Sequence, residues 1–205
     1  ADHTAPTITL TNPANESSGA SIGVSPSVTF SEPLKSSTVN TGSIKLLAAD
    51  GTTIIPSSVS LVDGGTRVVL TPSSPLGYST IYRIAVSTAV TDEAGNALAS
   101  SANTSFTTEP VPADTTAPSI TNIQTTGVTY NSATITWTTN EPSDSQVEYG
   151  TTSRYGSVTT LNTTLTTSHS VTVTGLSQST VYHFRVKSKD AAANQATSGD
   201  NTFAT

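Results

Sequence analysis

The chain has 205 residues, of which 34% are hydrophobic and only 11% charged, and its formal net charge is −6. Cysteine is absent, which excludes disulfides, thiolate metal sites and a cysteine nucleophile. A negative chain without a basic cluster is a poor partner for phosphate backbones, so no nucleic-acid binding is expected. No apolar run approaches the ~20 residues of a membrane span, so no membrane insertion is expected either.

Short alternating runs separated by turn signals predict β-strands throughout the first half of the chain. The predicted strands are 7–10, 27–30, 43–47, 59–62, 67–71, 81–87 and 104–107. Asp-Gly sequences at 50–51 and 63–65 predict tight turns, because both residue types tolerate a positive φ. Pro110 and Pro112 then favour an extended linker.

The second half shows the same kind of pattern, and no helical periodicity interrupts it. The predicted strands are 119–125, 133–139, 146–150, 169–173, 181–187 and 201–203, with a short further strand near 157–160. The chain is therefore expected to be all-β.

Five landmarks of the first half return in the same order in the second half. They are Asp2–Pro6 and Asp114–Pro118, Ser31-Glu32-Pro33 and Asn140-Glu141-Pro142, 79–86 and 179–186, 92–96 and 190–194, and 105–108 and 202–205. A fixed order of spaced matches indicates a tandem repeat. It predicts a first domain at 1–109, a Pro-containing linker at 110–117 and a second domain at 118–205.

The second copy resembles a fibronectin type III domain, on the sequences 133–137 and 176–186. The resemblance implies that Trp137 fills the core and that the Tyr182 hydroxyl bonds to backbone upstream. The first copy resembles the bacterial Ig-like domain of S-layer proteins and secreted enzymes, on 12–15, 28–34, 76–82, 90–98 and 105–108. Together they imply two antiparallel Greek-key β-sandwiches. Members of both families are mostly non-catalytic.

Calcium is the sharpest chemical hypothesis, since it takes several oxygen ligands from carboxylates, amides and carbonyls. The candidate residues crowd matching loops of the two copies or lie at the second domain's start: Asp92, Glu93, Asn96, Asp190, Asn194 and Asp114. Such loops are also good turn chemistry without any metal, because Asp caps a turn and Gly or Asn adopts a left-handed φ. No other cofactor is predicted.

Carbohydrate contact requires exposed aromatic faces. Tyr149 and Tyr155, with Arg154 between them, are the candidates for a ligand platform; the alternative is that they cover a sheet edge. The chain contains no nucleophile-elbow, zinc-protease or phosphate-loop motif, so no enzyme activity is expected.

These observations predict a non-catalytic spacer or interaction segment of a secreted or cell-surface bacterial multidomain protein. Its partners would be the other domains of a longer parent polypeptide, and the chain is expected to be a monomer. The alternative is a carbohydrate- or cell-surface-binding adhesion module that is stabilised by calcium, with polysaccharide or cell wall as its partner.

Overall fold

Nearly all the regular structure in residues 2–205, which the computed structural model describes, is β-strand, as the sequence predicts. The chain divides into two compact units, the first ending at Pro112 and the second running Ala113–Thr205. Helical structure among the described residues is limited to two 3-10 turns, Ser36–Thr38 and Asp63–Gly65. Neither has the length or the apolar character to cross a membrane.

The first unit is a sandwich of two four-stranded sheets. Its strands are β1 (Ile8–Asn12), β2 (Ser17–Ala20), β3 (Ser27–Phe30), β4 (Ile44–Ala48), β5 (Ser57–Val62), β6 (Arg67–Pro72), β7 (Ile81–Val86) and β8 (Ala102–Thr108). One sheet has the order β1-β3-β6-β5 and the other the order β2-β8-β7-β4. Alternation in β7 buries Tyr82, Ile84 and Val86 against the facing sheet, with Phe106 beside them.

Strand β2 corrects the sequence prediction in two ways. No strand was expected at residues 17–20, because Ser17-Ser18-Gly19-Ala20 has no hydrophobic alternation. The strand also pairs parallel to β8, whereas antiparallel pairing was expected throughout.

The second unit is a seven-stranded arrangement built around one long strand. Its strands are β9 (Ile120–Thr126), β10 (Ser132–Gly150), β11 (Ser157–Val158), β12 (Asn162–Thr174), β13 (Val181–Lys189), β14 (Gln195–Thr197) and β15 (Asn201–Ala204). Strand β10 pairs with β9 along its first half and with β12 as far as Ser145, and its last residues pair with β11 and β13. Strand β14 had not been predicted.

The prediction of separate strands at 133–139 and 146–150 was wrong, because β10 runs through both without a break. The register with β12 shifts between Thr138 and Ser143, at the Asn-Glu-Pro landmark. Such an irregularity accommodates Pro142, which has no N–H for the ladder, and lets the strand pass from one sheet to the other.

Tyr82 in the first unit and Tyr182 in the second, which we call the corner tyrosines, make the same hydrogen bond to the backbone. The Tyr82 hydroxyl accepts a hydrogen bond from the Gly77 N–H at 2.9 Å, and the Tyr182 hydroxyl accepts one from the Ser177 N–H at 3.0 Å. The prediction for Tyr182 is thereby confirmed. Trp137 is also confirmed as a core residue, being 2% exposed.

Candidate functional site

The acidic loops of the two units have the same local geometry. In the first unit, the Asp92 carboxylate accepts hydrogen bonds from the Asn96 backbone N–H at 2.8 Å and the Asn96 side-chain amide at 2.7 Å. In the second unit, Asp190 accepts the corresponding bonds from Asn194 at 2.8 and 2.9 Å. The left-handed φ that each loop needs is supplied by Gly95 in one and Ala193 in the other.

The asparagines also tie each loop to the start of its own unit. The Asn96 amide donates to the carbonyl oxygens of Thr4, at 3.1 Å, and of Asp2, at 3.4 Å. The Asn194 amide donates to the carbonyl oxygen of Asp114 at 3.1 Å. Asp2 and Asp114 are therefore brought to the loops that the sequence had singled out.

A third carboxylate completes each group. In the first unit, oxygens of Asp2, Glu32 and Asp92 all lie within 4.8 Å of one another. In the second unit, Asp114, Glu141 and Asp190 form the same arrangement. We call these two groups the carboxylate triads.

The sequence identified part of each triad. Glu32 and Glu141 were missed as ligands although they belong to a repeated landmark, and that repetition was the signal that could have found them. Glu93 lines the same surface cleft as the first triad but does not belong to the triad itself.

Burial and hydrogen bonding shift the pKa values of the triad carboxyl groups in opposite directions. Burial raises the pKa of Glu32, and the neighbouring charges of Asp2 and Asp92 raise it further. Burial also favours a higher pKa for Asp92, but the bonds from Asn96 and from the Gly95 and Ala94 backbone outweigh it, so the pKa of Asp92 lies below its usual range. The pKa of Asp190 is lowered in the same way, its bonds from Asn194 outweighing burial.

Such a group of carboxylate oxygens can hold a hard divalent cation. The same hydrogen bonds also close a tight turn with no cation, as the alternative interpretation has it.

The predicted aromatic platform has its two rings in different surroundings. Tyr149 is half-buried against the core, with its ring centroid 6.5 Å from that of Tyr182. The Tyr155 ring lies beneath the Arg185 guanidinium, 4.8 Å from its centroid. Arg154 is exposed in the turn between β10 and β11.

Charged side chains cluster on one sheet of the second unit. Glu148 on β10 pairs with Arg185 at 2.5 Å and with Lys187 at 3.2 Å, both on β13. The His183 side chain is 29% exposed, and its Nδ1 lies 2.7 Å from a carboxylate oxygen of Asp200. Partly exposed pairs of this kind contribute little to stability.

His169 is the polar residue that sequence reasoning left unassigned. It is buried, its ring is stacked on Trp137 at 4.8 Å, and its two ring nitrogens share hydrogen bonds with Ser145 at 2.8 Å and Thr139 at 2.9 Å. The contact between histidine and serine resembles part of a catalytic triad. Ser145 is itself only 2% exposed, so in this conformation no substrate can reach the pair.

The second unit is expected to lose stability as the pH falls below about 6.5, the ordinary histidine value. Burial lowers the pKa of His169, while the nearby Asp144 charge acts in the opposite direction. The unfolded state therefore binds a proton at a higher pH than the folded state, and protonation favours unfolding. We expect the urea midpoint of the second unit to fall between pH 7.5 and 5.5. His169→Gln should make the urea midpoint depend less on pH, whereas His3→Gln, at the exposed terminus, should leave this pH dependence unchanged. An equal pH dependence in the unmodified chain and both variants would contradict the assignment to His169.

The fold and these residues define a tandem of two modules, one Ig-like and one of the fibronectin type III kind. Residues 2–108 match the family model described as a bacterial Ig-like domain. Since this match covers more than half of the chain, the chain belongs to the bacterial Ig-like domain family. Residues 118–205 match the model described as the N-terminal domain of purple acid phosphatase.

Among curated proteins, the chain is similar to exoglucanase B of Cellulomonas fimi, with 37% identity over 103 residues. The match covers 50% of this chain but only 9% of the exoglucanase. The similarity therefore concerns a small part of a much longer protein.

Among solved structures, the chain is similar to the N-terminal part of the bacterial S-layer protein SbsC, at 15% identity and a TM-score of 0.42, over 98% of this chain and 44% of that one. The CopC protein of Methylosinus trichosporium OB3b matches at 14% identity and a TM-score of 0.41, over 52% of this chain and 96% of that one.

Proposed function

We propose that the chain is a non-catalytic spacer that positions other modules of a secreted or cell-surface bacterial protein. The observation that carries this proposal is that the polar side chains most suggestive of a site are used for hydrogen bonds that hold each unit together. The hydroxyls of Tyr82 and Tyr182 accept hydrogen bonds from the backbone. The side-chain amides of Asn96 and Asn194 bond to carbonyl oxygens at the start of their units, and His169 is buried. A catalytic site needs such groups to be available to a substrate.

The similarity to part of a bacterial exoglucanase supports an accessory role in an extracellular enzyme or surface assembly. In this proposal the partners are the other domains of the parent polypeptide, and the chain itself is a monomer.

The spacer role can be tested by insertion. The chain is placed between a cellulase catalytic domain and a cellulose-binding module, and a Gly/Ser linker of equal length serves as the control, because such a linker behaves as a random coil. We expect hydrolysis of insoluble cellulose to be faster with the chain than with the linker, and hydrolysis of a soluble substrate to be equal. Equal rates on both substrates would contradict the spacer role.

The second candidate is a carbohydrate- or cell-surface-binding adhesion module, which the exoglucanase similarity also favours. Pull-down on insoluble polysaccharides and bacterial cell wall distinguishes the two. Retention that Tyr155→Ala or Arg154→Ala removes would support a ligand site near these residues, with Tyr149 as a half-buried support. Absence of retention on every material would leave only the spacer role.

Calcium remains our proposal for the two carboxylate triads, on the ground that the same three-residue arrangement occurs in both units. A cation that binds only the folded state stabilises it by about 2.7 kcal/mol at a hundred times its dissociation constant. We expect calcium to raise the melting temperature relative to EDTA. Glu32→Gln should remove the shift from the first unit, and Glu141→Gln should remove it from the second.

Glu93→Gln is the matched control, because Glu93 is an acid beside the first triad but outside it. It should leave the calcium shift intact. A melting temperature that is equal in calcium and EDTA would mean that the triads are turn structures only.

A further inference from the structure

One sheet of the second unit presents an outer side that is rich in hydroxyl groups. Along β10, buried Ala133, Ile135 and Trp137 alternate with Thr134, Thr136 and Thr138, so these three threonines point away from the core. We call the side of the sheet that they occupy the hydroxyl face.

The flanking strands extend the same chemistry on both sides. On β12, Thr172, Ser170 and Ser168 are exposed and lie opposite Thr134, Thr136 and Thr138 in register.

On β9, Thr126, Gln124 and Thr121 occupy the corresponding places, and all three are exposed. Eight of these nine neighbouring positions therefore carry a hydroxyl, and none carries a charge or an aromatic ring.

Two pairs of hydroxyls on this face hydrogen-bond to each other across neighbouring strands. Thr134 and Thr172 share a hydrogen bond of 3.0 Å across the strands, and Thr121 and Thr138 share one of 2.9 Å. Thr138 also accepts from the Asn122 side-chain amide at 3.1 Å and donates to the Thr121 carbonyl oxygen at 3.3 Å, so its bonding positions are filled. Thr134 and Thr172 make fewer such bonds, and because a hydroxyl has one donor and two acceptor positions, both can still bond outward. Their spacing follows the sheet, about 4.8 Å between strands and about 6.8 Å along a strand.

The absence of charge on the hydroxyl face indicates which kind of partner can bind there. The hydroxyl face is neutral in a chain of net charge −6, whereas the other sheet carries Glu148, Arg185 and Lys187. An anionic partner would find no cation on the hydroxyl face. An apolar partner would desolvate hydroxyls without replacing their bonds, at about 1–3 kcal/mol for each group left unsatisfied. A neutral surface of hydroxyl groups meets neither cost.

We propose that the hydroxyl face docks on the surface of an insoluble, neutral polysaccharide. Without an aromatic ring for stacking, each contact is weak, so an ordered surface that engages many hydroxyls together is needed. This site is distinct from Tyr149, Arg154 and Tyr155, and it neither requires nor excludes the spacer role.

The test is a binding isotherm of the full chain on microcrystalline cellulose at low and high salt. We expect saturable binding that salt does not weaken, because no ion pairs are involved. Thr136→Glu places a charge at the centre of the hydroxyl face and should weaken binding at least about tenfold, or about 1.4 kcal/mol. Thr202→Glu makes the same change at an exposed position of β15, which pairs with the other sheet, and should bind like the unmodified chain.

Trp137 fluorescence reports whether each variant is folded, since it is the only tryptophan and lies in the core of this unit. Thr136→Val, which removes the hydroxyl but keeps a β-branched side chain, serves if the charged variant unfolds, and it should also weaken binding. Absence of binding by the unmodified chain, or equal binding by a folded Thr136 variant, would overturn the proposal. So would equal affinity for a soluble glucan.

Discussion

Trp137→Ala is expected to destabilise the second unit by about 3–5 kcal/mol and to leave the stability of the first unit unchanged. The indole is buried against the His169 ring, and its Nε1–H donates to the Ser188 hydroxyl at 2.9 Å within the core. Truncation of a buried tryptophan costs about 3–5 kcal/mol. Small domains are stable by only about 5–15 kcal/mol, so this loss is a large share of the stability of the unit. Urea unfolding followed by circular dichroism should show one early transition and one unchanged transition.

Tyr130→Ala is the matched control, because Tyr130 is an aromatic residue of the same unit that is 66% exposed. It should shift neither transition appreciably. If Trp137→Ala left both transitions in place, or moved both equally, the description of the core or of two separately stable units would be contradicted.

Gly150→Ala is expected to destabilise the second unit by about 1–3 kcal/mol, the usual range for overpacking. A Cβ at Gly150 would overlap the backbone carbonyl of Tyr155, and backbone cannot move aside as a flexible side chain can. The turn between β10 and β11 would have to open, which would also separate Tyr155 from Arg185. Urea unfolding gives the loss of stability, and NMR shifts of Arg185 beside the Tyr155 ring report the opening.

Gly199→Ala supplies the comparison for this glycine. Gly199 is in the same unit, has no neighbouring atom within 4 Å of the added Cβ and does not have a left-handed φ. Its substitution should be close to neutral. Similar losses for the two variants would show that the effect comes from glycine in general and not from the contact with Tyr155.

The strands were largely predictable because alternation decides which side chains a sandwich buries. In β7 the alternation in residues 82–86 predicts correctly that Tyr82, Ile84 and Val86 face the core. Strand β2 could not be found in this way, since its pairing with β8 is backbone bonding that needs no apolar side chain. The continuity of β10 was equally hidden, because Pro142 in sequence indicates a break and only the shift in register allows the strand to continue.

The candidate site was predictable only where its residues are close in sequence. Asp92 and Asn96 form one turn and stood out, whereas Glu32 reaches them from a distant loop. His169 could have been recognised as buried, because it is in phase with Val171 and Val173, which face inward on β12. The partners of His169 come from residues 139–145 of β10, and only the fold brings them together.

Single-molecule force spectroscopy tests the spacer account most directly, with the full chain held by its two ends. A spacer must stay folded under tension, and the two units are compact by themselves. The account predicts two discrete unfolding events, one for each unit, with recovery of both after relaxation. A smooth extension without discrete events, as an unstructured chain gives, would contradict it.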